Sequence, residues 1–482
     1  MTYLGIDLGT SGLRVLLMDE AGAPLASAEA PCTVSTPQPG WSEQDPTQWI
    51  AALHSAMAKL AASTSRLKDV QGIGVAGHMH GAVLLDQDNT VLRPCILWND
   101  TRSHAEAARL DAIPAFRAQS GNIVFPGFTA PKLEWVRKHE PDIHSRIATV
   151  VLPAAYLNLY LTGAPVGDIS DAAGTSWLDV GARDWSPTLL EASHMRLDQM
   201  PRLVEGCAPA GRLRADLQQD WGLTKRVTIA GGAADNAAAA CGMGVLRQGQ
   251  GFVSLGTSGV VLAARDSYLP RPDLALHTFC HAVPQKWYQM GVMLSATDSL
   301  NWLSRIVGHS PRALTQELDP TPAAPTDLMF LPYLSGERTP HNDAAIRGSF
   351  TGLSTATTRA DMTRAVLEGV SFGLRDCLNA IRADSAGPDA LYAIGGGAAS
   401  DHWLTMLATI LDTPLHRPKG GEFGAALGAA RLGQIAATNC DPADVMIPPA
   451  DIEIFEPSPA LSDAYTAAFA RFTTAYEHLR KL

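Results

Sequence analysis

A short turn spelled twice constrains this chain more than any other feature. Ile6-Asp7-Leu8-Gly9-Thr10-Ser11-Gly12 stands near the N-terminus, and Leu255-Gly256-Thr257-Ser258-Gly259 repeats it in the second half. Each copy lies between apolar, β-branched runs, 3–6 and 13–18 around the first, 252–255 and 260–263 around the second. Glycines and small hydroxyl residues between two extended runs predict a strand, a turn and a strand. Such a turn lets backbone N–H groups and Thr/Ser hydroxyls converge on an anion, as phosphate binding requires. One copy alone reads as an ordinary hairpin connection. A near-verbatim pair half a chain apart predicts two related domains facing one nucleotide. The copies differ at one place: Asp7 precedes the first turn, where Ser254 precedes the second. A carboxylate repels a phosphate unless a cation lies between them, so Asp7 reads as an organiser of Mg²⁺.

The bulk properties narrow the class. A chain of 482 residues is too long for one core and predicts two to four domains. With 46% hydrophobic and 18% charged residues it reads as a soluble globular protein. A net charge of −11 speaks against a nucleic-acid surface, but not against a nucleotide, because turns and helix N-termini act locally. The seven cysteines are scattered and form no CxxC pair, so neither a zinc site nor a disulfide framework is indicated. Tyr3 enters a strand without a preceding basic segment, and no apolar stretch approaches bilayer-spanning length. A cytoplasmic protein with no membrane partner is expected.

Strands are predicted at 72–76 and 96–98, helices at 46–60 and 131–139. A strand at 227–230 runs into Gly231-Gly232-Ala233-Ala234-Asp235 and an Ala-rich helix from Asn236. The polar, glycine-bearing stretch 244–251 marks the boundary between domains 1–246 and 247–482. The second half repeats the plan, with helices at 295–307, 359–383 and 401–411 and a polar loop at 334–343. A strand at 391–394 enters Gly395-Gly396-Gly397, and Gly420-Gly421-Glu422-Phe423-Gly424 introduces a last Ala-rich helix. The fold class is α/β, two domains with a cleft between them.

Several residues suit chemistry in that cleft. Asp235 stands where a strand, a Gly-rich corner and a helix meet. It reads equally as a base, its ionised form favoured by the helix N-terminus, or as an N-cap. Met79 and His80 follow the 72–76 strand at its C-terminal edge, where α/β sheets place ligands. Trp98, Asn99 and Asp100 combine a flat apolar face with polar groups, a mix suited to a sugar. Gly174-Thr175-Ser176 repeats the turn's letters without its flanking strands and is not counted as a phosphate turn. GxxxxGK[ST] is absent and GxGxxG incomplete, which sets aside a Walker ATPase and a dinucleotide oxidoreductase.

The turn Asp7 to Gly12, the segment Thr129-Ala130-Pro131-Lys132-Leu133-Glu134-Trp135-Val136, and the stretch from Gly348-Ser349-Phe350 to Glu368-Gly369 resemble the signatures of the FGGY carbohydrate kinases. Supporting runs are Trp41-Ser42-Glu43-Gln44-Asp45-Pro46, His78-Met79-His80-Gly81, Leu97-Trp98-Asn99-Asp100, Ser170-Asp171-Ala172-Ala173-Gly174-Thr175 and Leu334-Ser335-Gly336-Glu337-Arg338-Thr339-Pro340-His341. The likeness extends across most of the chain. It implies two ribonuclease H-like, actin-type ATPase domains closing on ATP and a sugar, and it suggests a homodimer. The activity it implies is ATP-dependent phosphorylation of D-xylulose at its terminal hydroxyl, with ribulose or another polyol as the alternative acceptor. A non-catalytic actin-like nucleotide switch is the reading from another class, and Asp235 speaks against it.

The resemblance places the base on Asp235 and decides that residue for catalysis. It places sugar contacts at Met79 and His80, beside Trp98, Asp100 and Asn236. ATP phosphates are expected at Gly9, Thr10 and Ser11 and at Gly256, Thr257 and Ser258. Adenosine is expected at Gly396 and Gly397 with Ser400, and Mg²⁺ at Asp7. His78 departs from the glutamine usual in the family and receives no role. Ala233 and Ala234 stand where related kinases carry glycines, so the backbone there must avoid positive φ. Lys132 and Trp135 read as structural, and Glu337 with Arg338 as an ordering ion pair in the polar loop.

Overall fold

The computed structural model describes all residues except Pro320, Pro322, Gly420, Asp451 and Leu482, and the side chain of Glu422 is likewise outside the described set. Of the glycine turn expected before the last Ala-rich helix, Gly420 therefore lies outside the described residues.

The doubled turn joins two copies of one sheet. The first contains β1 (Thr2–Leu8), β2 (Gly12–Asp19), β3 (Pro24–Pro31), β4 (Val70–Gly77), β5 (Pro209–Arg212), β6 (Thr228–Ala230) and β7 (Ala233–Ala234). The second contains β8 (Gln250–Leu255), β9 (Gly259–Arg265), β10 (His277–Cys280), β11 (Trp287–Met293), β12 (Ala390–Ile394), β13 (Leu415–Pro418) and β14 (Ile452–Phe455). The lateral order β5-β6-β4-β1-β2-β3 is matched by β14-β13-β12-β8-β9-β11-β10, with β7 pairing beside β4. In both, the turn closes an antiparallel hairpin, β1 with β2 and β8 with β9, and the leading strand of the hairpin pairs in parallel with a later strand. This is the repeated ribonuclease H-like order, a mixed rather than purely parallel sheet. The central strands β1 and β4 are buried almost end to end, because helices cover both faces.

One face of the first sheet is covered by α1 (Pro46–Ser63). Asp45 accepts from the Thr47 N–H, Pro46 takes the first turn, and Trp49, Leu53, Met57 and Leu60 form a buried stripe. Between β4 and β5 the chain forms α2 (Thr129–His139) and α3 (Pro153–Thr162). The Gly-rich corner after β6 opens α4 (Asp235–Met243). The second half places α5 (Thr297–Val307) after β11. A long α6 (Arg359–Arg382) follows, its start fixed by reciprocal bonds of Thr358 and Asp361. Then come α7 (Asp401–Leu411), α8 (Gly424–Thr438) and α9 (Pro459–Leu479). No helix among the described residues is long and apolar enough to cross a membrane.

The helix α8 does not stay with its own sheet. It packs on β1, β4 and β6 of the first sheet and against α4. Tyr3, Leu16 and Met18 share a core with Ala426, Leu427 and Ala430. The approach is close because side chains are missing on both sides: a Cβ on Gly74 would fall on the Ala429 carbonyl, and one on Gly428 on the Ala238 carbonyl. An Ala-rich helix can lie this near a strand only where glycine leaves the backbone bare.

Candidate active site

Two carboxylates meet where the strands of the first sheet end. Asp7 near the end of β1 stands beside Ala76 of β4, and β7 pairs with the same end of β4 through Ala233 and Ala234. Asp235 follows at once as the first residue of α4. The corner holds without strain, because positive φ falls on Gly232 while Ala234 is extended. Burial pushes the Asp235 carboxyl up to about 6, opposed by Asn236. The Asn236 backbone N–H and Nδ2 donate to Asp235 Oδ1 at 2.7 and 2.9 Å. No donor among the described residues is assigned to Oδ2. Burial and then the charge of Asp235 push Asp7 up to about 7, against the opposing Arg14, its partner across the hairpin. Two carboxylates that each resist ionisation, beside the first Gly-Thr-Ser turn, are a donor set that suits a divalent cation held by one or two carboxylates plus further oxygen ligands. Among the described residues no cluster of three or more His, Cys, Asp or Glu side chains forms a metal cage.

His80 sits on a loop just beyond β4 in a left-handed conformation, φ +68°. A non-glycine residue keeps such a backbone only when its surroundings hold it there. Here the Lys132 ammonium and the Thr129 hydroxyl donate to the His80 carbonyl at 2.8 and 3.1 Å. Its ring stacks on Phe128 at 4.4 Å, and Nδ1 donates to the Gly174 carbonyl at 2.6 Å. Burial, with Lys132 second, holds this imidazole at about 3, so it is neutral and its Nε2 is an acceptor. Met79 beside it is buried.

His78 lies under the loop, its ring edge-on to Trp49 at 5.5 Å and both nitrogens without a partner among the described residues. Lys132 is wholly buried and spends its ammonium on the His80 backbone, a duty that helical periodicity did not reveal. Trp135 packs edge-on against Trp41 and belongs to the core. Gly174, set aside as a phosphate turn, instead fixes the His80 ring.

Trp98 follows a strand shorter than expected, Cys95–Ile96, and is 42% exposed. Its Nε1 donates to the Thr10 hydroxyl at 3.0 Å, tying the loop after Cys95–Ile96 to the first turn. Asp100 corrects an expectation. Its carboxylate is paired with Arg102 Nε and Nη2 at 2.9–3.1 and 2.7 Å and also accepts from the Ser42 N–H at 2.6 Å. Buried and saturated, it braces the loop that carries Trp98 and has no acceptor to spare for a sugar. A second expectation fails at Glu337 and Arg338, which form no side-chain ion pair. Glu337 Oε1 accepts the backbone N–H groups of Leu294 and Arg338, and the guanidinium turns elsewhere.

The second turn is moored to α5. Backbone N–H groups of Ala296 and Thr297 donate to the Thr257 and Gly256 carbonyls at 2.9 and 3.0 Å, and the Thr297 hydroxyl adds a bond to Gly256 at 2.8 Å. Thr257 itself is exposed, with Gly256 and Ser258 half-buried. Beside this hairpin, β12 pairs with β8 and leads into Gly395, Gly396 and Gly397. Gly396 faces open space, while Gly397 is packed against Leu255 and Trp403. Ser400 caps α7 by accepting from the Trp403 N–H.

Residues 2–242 match the model of the FGGY family of carbohydrate kinases, N-terminal domain, and residues 251–437 match its C-terminal domain. The chain is 48% identical to the xylulose kinase of Escherichia coli K12, over 90% of each sequence. It resembles the crystal structure of a xyloylose kinase from Brucella ovis, with TM-score 0.98, 55% identity and full coverage of both chains. The xylulose kinase of Rhodospirillum rubrum is similar over 100% of this chain and 99% of that one, with TM-score 0.89 and 30% identity.

Proposed function

Because the chain belongs to the FGGY family of carbohydrate kinases, we propose that it transfers the γ-phosphoryl group of ATP to the terminal hydroxyl of D-xylulose, giving D-xylulose 5-phosphate and ADP. The observation that carries the catalytic assignment is the Asp235 carboxyl, one oxygen pinned by Asn236 and the other free at the head of α4. Phosphoryl transfer asks little covalent chemistry of the protein. It needs a positioned hydroxyl, a base for its proton and neutralisation of spreading charge. Asp235 Oδ2 accepts that proton. His80 Nε2 accepts from a second sugar hydroxyl, Met79 supplies apolar contact, and Trp98 stands between the sugar and the Thr10 turn. Gly9, Thr10 and Ser11 with Gly256, Thr257 and Ser258 bind phosphates from the two halves, 1–246 and 247–482. Gly396 and Gly397 offer the adenosine a bare surface, with Ser400 at its edge. Mg²⁺, organised by Asp7, would neutralise charge on the phosphates. The reading includes cytoplasmic action, where ATP is available, and a homodimer, which sedimentation at twice the chain mass would support.

ADP release measured over a panel of ketoses and polyols tests the acceptor. D-xylulose should be turned over best; turnover of ribulose or a polyol with none of D-xylulose would replace the substrate. The pH profile tests the base. An Asp235 carboxyl at about 6 must be ionised to work, so kcat/KM should fall tenfold per pH unit below about 6. A plateau continuing to pH 5 would remove Asp235 from the role. Gly396→Val tests the adenosine platform. A Cβ there meets nothing within 4 Å, so the variant should unfold like wild type yet show a KM for ATP raised about tenfold, with that for the sugar unchanged. Equal ATP affinity would move the nucleotide elsewhere.

A further inference from the structure

Arg338 is a cation in an unusual place. Its guanidinium lies over the Phe125 ring at 4.4 Å, and Nη1 is 3.4 Å from His277 Nε2. No carboxylate among the described residues forms a salt bridge with it: Glu337 acts on it only through space, pointing Oε1 at two backbone N–H groups and leaving Oε2 buried without a hydrogen-bond partner. His277 cannot supply a counter-charge. It is buried, burial holds it neutral, and its Nδ1 faces Asn122 Oδ1 at 3.4 Å, an oxygen that also accepts the Thr278 N–H. A half-buried guanidinium with N–H groups to spare is placed to donate to a ligand.

What lies next to it is the sugar loop. Phe128 stacks on His80 at 4.4 Å and touches Phe125 at 5.7 Å and His277 at 5.6 Å. One aromatic cluster, drawn from both halves of the chain, therefore links Arg338 to His80, and the Arg338 charge is felt at that imidazole. The polar groups that the first half turns toward the sugar are acceptors, Asp235 Oδ2 and His80 Nε2. Trp98 Nε1–H already donates to Thr10, and one of the two Asn236 amide N–H groups to Asp235, so donors on this side are few. Acceptors serve hydroxyls but cannot serve a carbonyl. A 2-ketopentose whose terminal C5 hydroxyl is free to react is open-chain at that moment, because its furanose ring would use that oxygen, and its C2 oxygen is a carbonyl that can only accept.

We propose that Arg338 is a specificity-determining residue, contributed by the second half, that donates to the C2 carbonyl of an open-chain 2-ketose and so separates ketoses from polyols. This rests on the sugar placement proposed above. The test is calorimetric binding of D-xylulose and of xylitol, the same carbon chain reduced at C2, to wild type, Arg338→Met and Arg338→Lys, with ADP binding as the check of folding. Arg338→Met should weaken D-xylulose about 10–100-fold and xylitol less than about threefold, with Arg338→Lys between. Equal weakening of both sugars, or of neither, overturns the proposal. If neither variant folds, carbon-13 spectra of C2-labelled D-xylulose on wild type decide: a downfield shift of the bound carbonyl is expected, and an unshifted one is fatal. Failure of the underlying reading looks different, because then wild type itself does not bind D-xylulose.

Discussion

Asp235→Asn is expected to lower kcat by about 10²–10⁴-fold with little change in either KM. The amide keeps the shape and the Asn236 contacts to Oδ1 but cannot take the proton of the sugar hydroxyl. The same substitution should stabilise the folded chain at alkaline pH. The folded carboxyl, at about 6, is raised above its ordinary value of 3.8, chiefly by burial. The fold thus favours the protonated form, and that contribution is present below about pH 4 and lost as pH rises through about 6. Asn carries no charge, so the variant escapes the loss. Its melting temperature should exceed wild type at pH 8 and match it at pH 4. A variant that is inactive and also less stable at pH 8 would mean that Asp235 is a structural cap, the reading that its spacing left open.

Gly74→Val should cost at least about 3 kcal/mol of stability, read as a lower urea midpoint, with activity lost in the same transition. The new side chain would collide with the Ala429 backbone and the Gly433 amide. A neighbouring side chain could rotate away; a helix carbonyl cannot without moving α8. Gly396→Val is the internal contrast, a larger side chain set into open space. If both variants unfold together with wild type, α8 does not seat on the first sheet as described.

What could be read from the sequence was local. The doubled turn, the corner before Asp235 and the capped start of α6 are each written in a few consecutive residues, so strands, turns and helix ends fell near their expected places. The site's supports are not local. Lys132 reaches the His80 carbonyl and Gly174 its ring across 52 and 94 residues. Helical periodicity marks Lys132 as one more position on α2 and says nothing of which backbone it meets. Asp100 misled for the opposite reason: a polar residue beside a tryptophan looks like a sugar contact until Arg102 and Ser42 are seen to consume it. The glycines on β1 and β4, facing those on α8, were the overlooked signal, small residues at matching intervals on elements far apart in the chain.

That crossing of α8 sets a schedule for synthesis. Residues 2–77 emerge from the ribosome several hundred residues ahead of 424–438, the helix that covers one face of their sheet. Until then Tyr3, Leu16 and Met18 lack the helix residues Ala426, Leu427 and Ala430 that they pack against. The nascent amino-terminal half is therefore an exposed intermediate that needs shielding from its neighbours. A stop codon anywhere before residue 424 strands it in that condition.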